Sequence, residues 1–163
     1  MEYSLDKIKD MKFETEQMPA LFSISAKKSS YRLTDRDLAN LPDETKNITK
    51  LRVRLTSLYM EKLKGNGAQL EATCDIKRDT FRKVTSHKNG RSVTYPFLAK
   101  FCIGLALSIE EAKELFLLMG HELSHNNRYD YILLCELKNK GTLEEYNNDL
   151  LSFGYEGIIS KAD

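Results

Sequence analysis

Apolar positions along the chain recur at helical rather than strand spacing, and glycine, proline and capping residues cut the pattern into short segments. The clearest predicted helix starts at about Thr49, carries Leu51, Leu55, Leu58 and Tyr59 on one face, and stops before Gly65-Asn66-Gly67. A second opens at once, because Asn66 with Gln69 three residues on has the form of a capping box, and Ala68, Leu70 and Cys74 supply an apolar stripe. A short third helix over about Arg78 to Thr85 turns Phe81 and Val84 inward and Arg78, Arg82 and Lys83 outward; His87-Lys88-Asn89-Gly90 reads as a turn.

Thr94 before Tyr95-Pro96-Phe97 opens a fourth helix, since proline fits the first turn, and Leu98, Phe101, Cys102 and Leu105 follow at i, i+3, i+4 and i+7. Ser108 and Glu111 form a capping box for a fifth that ends near Gly120. Two more helices are expected: about Arg128 to Leu137 before Gly141, then from the Thr142/Glu145 capping box to Gly154. Upstream, Ser4 to Gln17 predicts a weak amphipathic helix before Pro19, Thr34 with Asp37 predicts a short helix start, and Ala26 to Tyr31 reads as a loop. The fold class is therefore all-α. A chain of 163 residues with 41% hydrophobic content buries one good core, with extensions rather than a second full domain.

Charge sharpens this picture. The net charge of +1 conceals a segregation: residues 46–64 hold six bases against one acid, residues 77–91 six against one, and residues 110–163 eleven acids against five bases. Two basic blocks bracketing one helical pair favour an anionic partner. The most apolar run, Phe101 to Ile109, is too short to span a bilayer. Met1-Glu2-Tyr3-Ser4 lacks the basic-then-apolar order of a secretory leader, so no membrane is expected and the cytoplasm is the expected compartment. Three widely spaced cysteines, Cys74, Cys102 and Cys135, suggest neither a disulfide framework nor a metal knuckle, and reduced, mostly buried thiols are expected.

The run Asn66-Gly67-Ala68-Gln69-Leu70-Glu71-Ala72-Thr73-Cys74-Asp75-Ile76-Lys77-Arg78-Asp79-Thr80-Phe81-Arg82-Lys83-Val84 resembles the helix-turn-helix of the lambda-repressor-like, Cro/C1-type (XRE) family. Leu70, Ile76, Phe81 and Val84 stand at that family's core positions, and Phe97-Leu98-Ala99-Lys100, Gly104-Leu105-Ala106-Leu107-Ser108 and Glu110-Glu111 look like its fourth and fifth helices. The resemblance implies a five-helix core at about 46–120, between an N-terminal extension over 1–45 and a C-terminal helical pair over 121–163. It also implies base-facing roles for Arg78, Asp79 and Lys83, while Arg82, Lys88 and Arg91 would meet phosphates. Four positions depart from the family pattern. Glu71 stands where alanine allows helix contact, Asp75 where the turn has glycine, and Lys77 and Gly67 where polar residues open the two helices. A buried Glu71 needs a partner, whereas aspartate tolerates a left-handed turn.

The implied function is sequence-specific binding of duplex DNA by a transcription regulator, not an enzyme, with no cofactor. The alternative is a non-enzymatic adaptor or inhibitor that reuses the fold to hold a protein, as in phage or mobile-element biology. A third reading comes from His121-Glu122-Leu123-Ser124-His125, which matches the HExxH zinc-peptidase pattern and makes His121 and His125 metal candidates. That chemistry requires a continuous helix, but Gly120 precedes and Asn126-Asn127 follow, which predicts a helix-helix connection and no bound metal. Tyr129, Tyr131, Tyr146, Phe153 and Tyr155 cluster in the acidic tail, where helix packing or a homodimer accounts for them better than stacked bases.

Overall fold

The computed structural model describes residues 3–19, 35–86 and 93–159, and side chains of the first long helix from residue 47 onward. The expected loop over Ala26 to Tyr31, the turn His87 to Gly90, and Lys88 and Arg91 fall outside the described residues. Among those described, the chain is all-helical: a 3-10 helix at Leu5–Asp10, then α1 (Asp35–Leu63), α2 (Gly67–Cys74), α3 (Arg78–Thr85), α4 (Tyr95–Gly104), α5 (Ile109–Leu118), α6 (Arg128–Lys138) and α7 (Leu143–Ser152). No helix among them is long and apolar enough to cross a membrane.

Helix starts follow the capping chemistry read from sequence. The side chains of Asn66, Thr94, Ser108 and Thr142 each accept the backbone N–H three residues on, and Ser108/Glu111 and Thr142/Glu145 close full capping boxes. Helix ends share one device. Ala106, Gly120, Lys140 and Gly154 adopt left-handed backbone after α4, α5, α6 and α7, and the next residue's N–H reaches back to Cys102, Phe116, Glu136 and Leu150 respectively. Lys140 takes the left-handed position that glycine would fill more easily, and its Nζ donates to the carbonyls of Ala106 and Leu107 at 3.0 and 3.4 Å, tying the end of α6 to the end of α4. Gly141 is held by another constraint: a Cβ there would stand 1.9 Å from Glu136 Oε2.

Two expectations for the N-terminal part need correction. The separate helices expected from Thr34 and Thr49 are one helix through Pro42. No glycine interrupts 35–63, and proline removes one helical hydrogen bond without stopping the residues after it from coiling. The helix expected over Ser4 to Gln17 is only the 3-10 turn followed by an extended strap. Leu5, Ile8 and Met11 lie three apart, the 3-10 period, and Ile8 reaches the core. Residues 14–16 then pair alongside 126–128: Glu14 N donates to Asn126 O at 2.9 Å and Arg128 N to Thr15 O at 3.0 Å. The amide of Asn127 donates to Thr15 Oγ1 and Gln17 O, and Tyr131 packs edge-on to Tyr3 and Phe13.

One continuous core runs from Ile8 through Leu51, Leu70, Phe81, Leu98 and Phe116 to Leu150. Tyr129, Tyr131 and Tyr146 are buried in it, so helix packing accounts for these tail aromatics. All three cysteines are free and buried; burial pushes the Cys74 thiol up to about 11 and Cys135 to about 12.

Glu136 is the buried acid with the clearest consequence. Burial first, then hydrogen bonding to Asp149 and the negative charges of Asp149 and Glu145, push its carboxyl from 4.5 up to about 8. The folded chain therefore holds a proton that the unfolded chain releases near pH 4.5. The stability this proton contributes is full below that pH, declines as pH rises, and is lost through about pH 8. Glu136→Gln keeps the shape without the titration. Urea unfolding at pH 5 and pH 8 is expected to show the variant gaining on the parent at the higher pH, whereas an unchanged pH slope would assign the dependence to other groups.

Candidate nucleic-acid interface

Positioning of α3 begins in the turn before it. Asp75 has φ 54° and ψ 37°, left-handed backbone that aspartate tolerates, and its N–H donates to Glu71 O at 3.0 Å to close α2. Lys100 of α4 donates to Asp75 O at 2.9 Å and lies 3.4 Å from Oδ2, so the turn is pinned from the core side. Phe81 is the anchor of α3. Its ring lies 4.8 Å from Tyr59 of α1 and stacks on Phe97 and Phe101 of α4 at 6.4 and 5.8 Å. Together with buried Val84 this fixes which side of α3 faces inward.

The outer side is charged. Lys77, Arg78, Asp79, Arg82 and Lys83 are all exposed. At 100° per residue, with Phe81 and Val84 inward, Asp79 projects farthest from the core and Arg82 and Lys83 flank it. Asp79 Oδ1 accepts from Arg82 Nη2 at 2.6 Å, and Oδ2 lies 3.9 Å from Lys83 Nζ. Arg78 lies toward α2 instead: a Cβ on Gly67 would stand 2.8 Å from its Cδ. The structure thus brings Asp79, Lys83 and Arg82 together on one helix face and sets Arg78 at its margin. Helix α3 opens on Lys77 without a side-chain cap.

Helix α1, which packs on both α2 and α3, carries exposed Lys50 and Lys62, and exposed Lys64 follows it; the Lys62 charge also acts on Glu111 of α5. Arg54, counted in the basic block of the sequence, is spent elsewhere: it pairs with Glu114 at 3.3 Å and Glu111 at 4.0 Å on α5. Glu71 is exposed and needs no buried partner, and Ala68 is exposed rather than part of the apolar stripe. A close helix contact is found between α2 and α4, where Gly104 meets Thr73 and Cys74.

The HExxH residues occupy the α5–α6 connection, as the flanking glycine and asparagines predict. His121 to Ser124 is not helical, so His121 and His125 do not share a helix face at one-turn spacing. His121 Nε2 instead lies 2.9 Å from Asp130 Oδ2, a fully buried carboxylate that also accepts from Ser124 N at 3.1 Å and from Tyr95 Oη at 2.5 Å. The sequence signal for this cluster was absent, since nothing in the spacing of Tyr95, His121 and Asp130 marks them as partners. Above it, the strap and the connection border a groove of about 810 Å³ lined by Phe13, Thr15, Gln17, His121, Asn126 and Asn127, among others. Among the described residues no group of three or more His, Cys, Asp or Glu side chains is placed to hold a metal ion.

No family model, curated protein or solved structure matches the chain.

Proposed function

We propose that the chain is a DNA-binding transcription regulator of the lambda-repressor-like kind, acting in the cytoplasm and placing α3 in the major groove of a duplex. The observation that carries this reading is α3 itself: eight residues locked to the core by Phe81 and Val84, following a left-handed turn, with Arg78, Arg82 and Lys83 exposed and Lys77 at its start. A major groove admits one such helix, and long donors on its outer side reach base edges. Lys50 and Lys62 on the neighbouring helix and Lys64 just after it suit phosphates, and so do Lys88 and Arg91, later in the basic block that contains α3. In this reading α1 to α5 form the five-helix domain, and α6 and α7 are an extension packed on α4 and α5.

The test is binding of the full chain to duplexes selected from a random pool. Lys83→Ala is expected to weaken the preferred duplex by about 1–3 kcal/mol and relax one base position, with little change on unrelated duplexes. Lys62→Ala is expected to weaken all duplexes alike and to reduce the salt dependence. A chain without duplex affinity at low salt, or one indifferent to both Arg78 and Lys83, would move the function to an adaptor that holds a protein.

A further inference from the structure

An acid at the centre of a helix face meant for DNA is a problem, because a bare carboxylate in the groove faces phosphates on both sides. The family resemblance implies a base-facing Asp79, where a carboxylate accepts from a cytosine amino group, and a phosphate-facing Arg82. The structure arranges them differently. Asp79 Oδ1 is engaged by Arg82 Nη2 at 2.6 Å across one turn, and the side chains remain 64% and 78% exposed, so the pair stands outward as a unit. Lys83 Nζ, at 3.9 Å from Oδ2, adds a second cation, so the trio carries a net charge of +1. Lone pairs remain free on both oxygens, so what this contact fixes is the direction of the Arg82 guanidinium.

We propose, on the reading that α3 enters the major groove, that Asp79 is a positioning residue: it holds the Arg82 guanidinium toward the base edges, so that Arg82 reads a guanine and sets specificity. The chemistry fits the side chains. Arginine carries five N–H donors in a rigid fork, and one bond to Asp79 leaves enough of them to take guanine O6 and N7 together. Arg82 flanks the most outward residue of α3 rather than lying at the helix margin, and the carboxylate that restrains it also keeps it from swinging to the groove rim. Held this way, the guanidinium loses less freedom on binding than an unrestrained one. The partner is thereby narrowed to duplexes with a guanine in register with Arg82.

A double-mutant cycle on the preferred duplex and its single-base variants tests this, using the full chain with Asp79→Ala, Arg82→Ala and both. Both side chains are exposed, so thermal unfolding is expected to be unchanged and binding differences are read directly. The expected result is about a ten-fold loss for each single variant, a double variant no weaker than Arg82→Ala alone, and relaxed preference at the same guanine in all three. Additive losses at two different base pairs would return Asp79 to direct readout and overturn the proposal. Tighter binding of Asp79→Ala to every duplex by a common factor would also overturn it, by making the acid merely repulsive. Either result leaves the DNA-binding reading standing, whereas a parent chain with no duplex affinity overturns both.

Discussion

Gly104→Ala is expected to destabilise the protein by about 3 kcal/mol, the upper end of the usual cost of overpacking, and to disturb α3 without touching it. Gly104 ends α4 where that helix crosses α2. A Cβ there would stand 2.3 Å from Cys74 Sγ, 2.7 Å from the Thr73 carbonyl oxygen and 2.8 Å from Cys74 Cα. Two of these three atoms are backbone and cannot swing aside, so α2 and α4 must separate. Separation also pulls Lys100 from the Asp75 turn and loosens the Phe97 and Phe101 rings around Phe81, the contacts that orient α3. Chemical denaturation measures the first effect, and duplex affinity the second. Adding Cys74→Ala relieves only the sulfur contact, so the double variant is expected to remain well below the parent. A Gly104→Ala protein within about 1 kcal/mol of the parent would show that the crossing can widen at little cost.

The elements after Gly65 were legible because most of their starts and stops rest on local chemistry. Side-chain caps at Asn66, Thr94, Ser108 and Thr142, and left-handed stops near Gly120 and Gly154, act within a few residues, so spacing alone reveals them. The inward pair Phe81 and Val84 follows from periodicity in the same way. What spacing could not show is which local preference tertiary contact would override. Ser4 to Gln17 carries apolar residues compatible with a helix, yet its backbone pairs with the 126–128 segment more than a hundred residues away. Thr34 and Thr49 each looked like the start of a separate helix, yet α1 runs unbroken from Asp35 to Leu63. On α3 the exposed set was readable, but its internal wiring was not used: Asp79 and Arg82 at i, i+3 already permit an ion pair, and Asp79 and Lys83 at i, i+4 another. Counting bases by block also overstated the free charge, because Arg54 is committed to Glu111 and Glu114.

Asp130→Ala is expected to cost about 3–5 kcal/mol and to do so as one event across the whole chain. Asp130 is fully buried in the first turn of α6, where its own N–H is capped by Asn127 Oδ1 at 2.9 Å. Its carboxylate is the shared acceptor for the Tyr95 hydroxyl of α4, the His121 ring and the Ser124 amide. Removing it strands three polar groups, one of them on a tyrosine with no exposed surface to speak of, and leaves a void among aromatic rings that touch Phe116, Tyr129 and His121. Tyr95→Phe removes one donor and leaves two, so its cost is expected to be smaller, about 1–2 kcal/mol. The form of the unfolding transition matters as much as its size. Tyr95 belongs to the 46–120 stretch and Asp130 to the 121–163 stretch, and a single apolar cluster spans both. If that cluster makes them one cooperative unit, urea unfolding of Asp130→Ala followed by far-UV and tyrosine signals will shift as one coincident transition. Two separated transitions, with the later one unmoved by the substitution, would instead make the C-terminal pair an independently folding appendage and confine the cost of losing Asp130 to it.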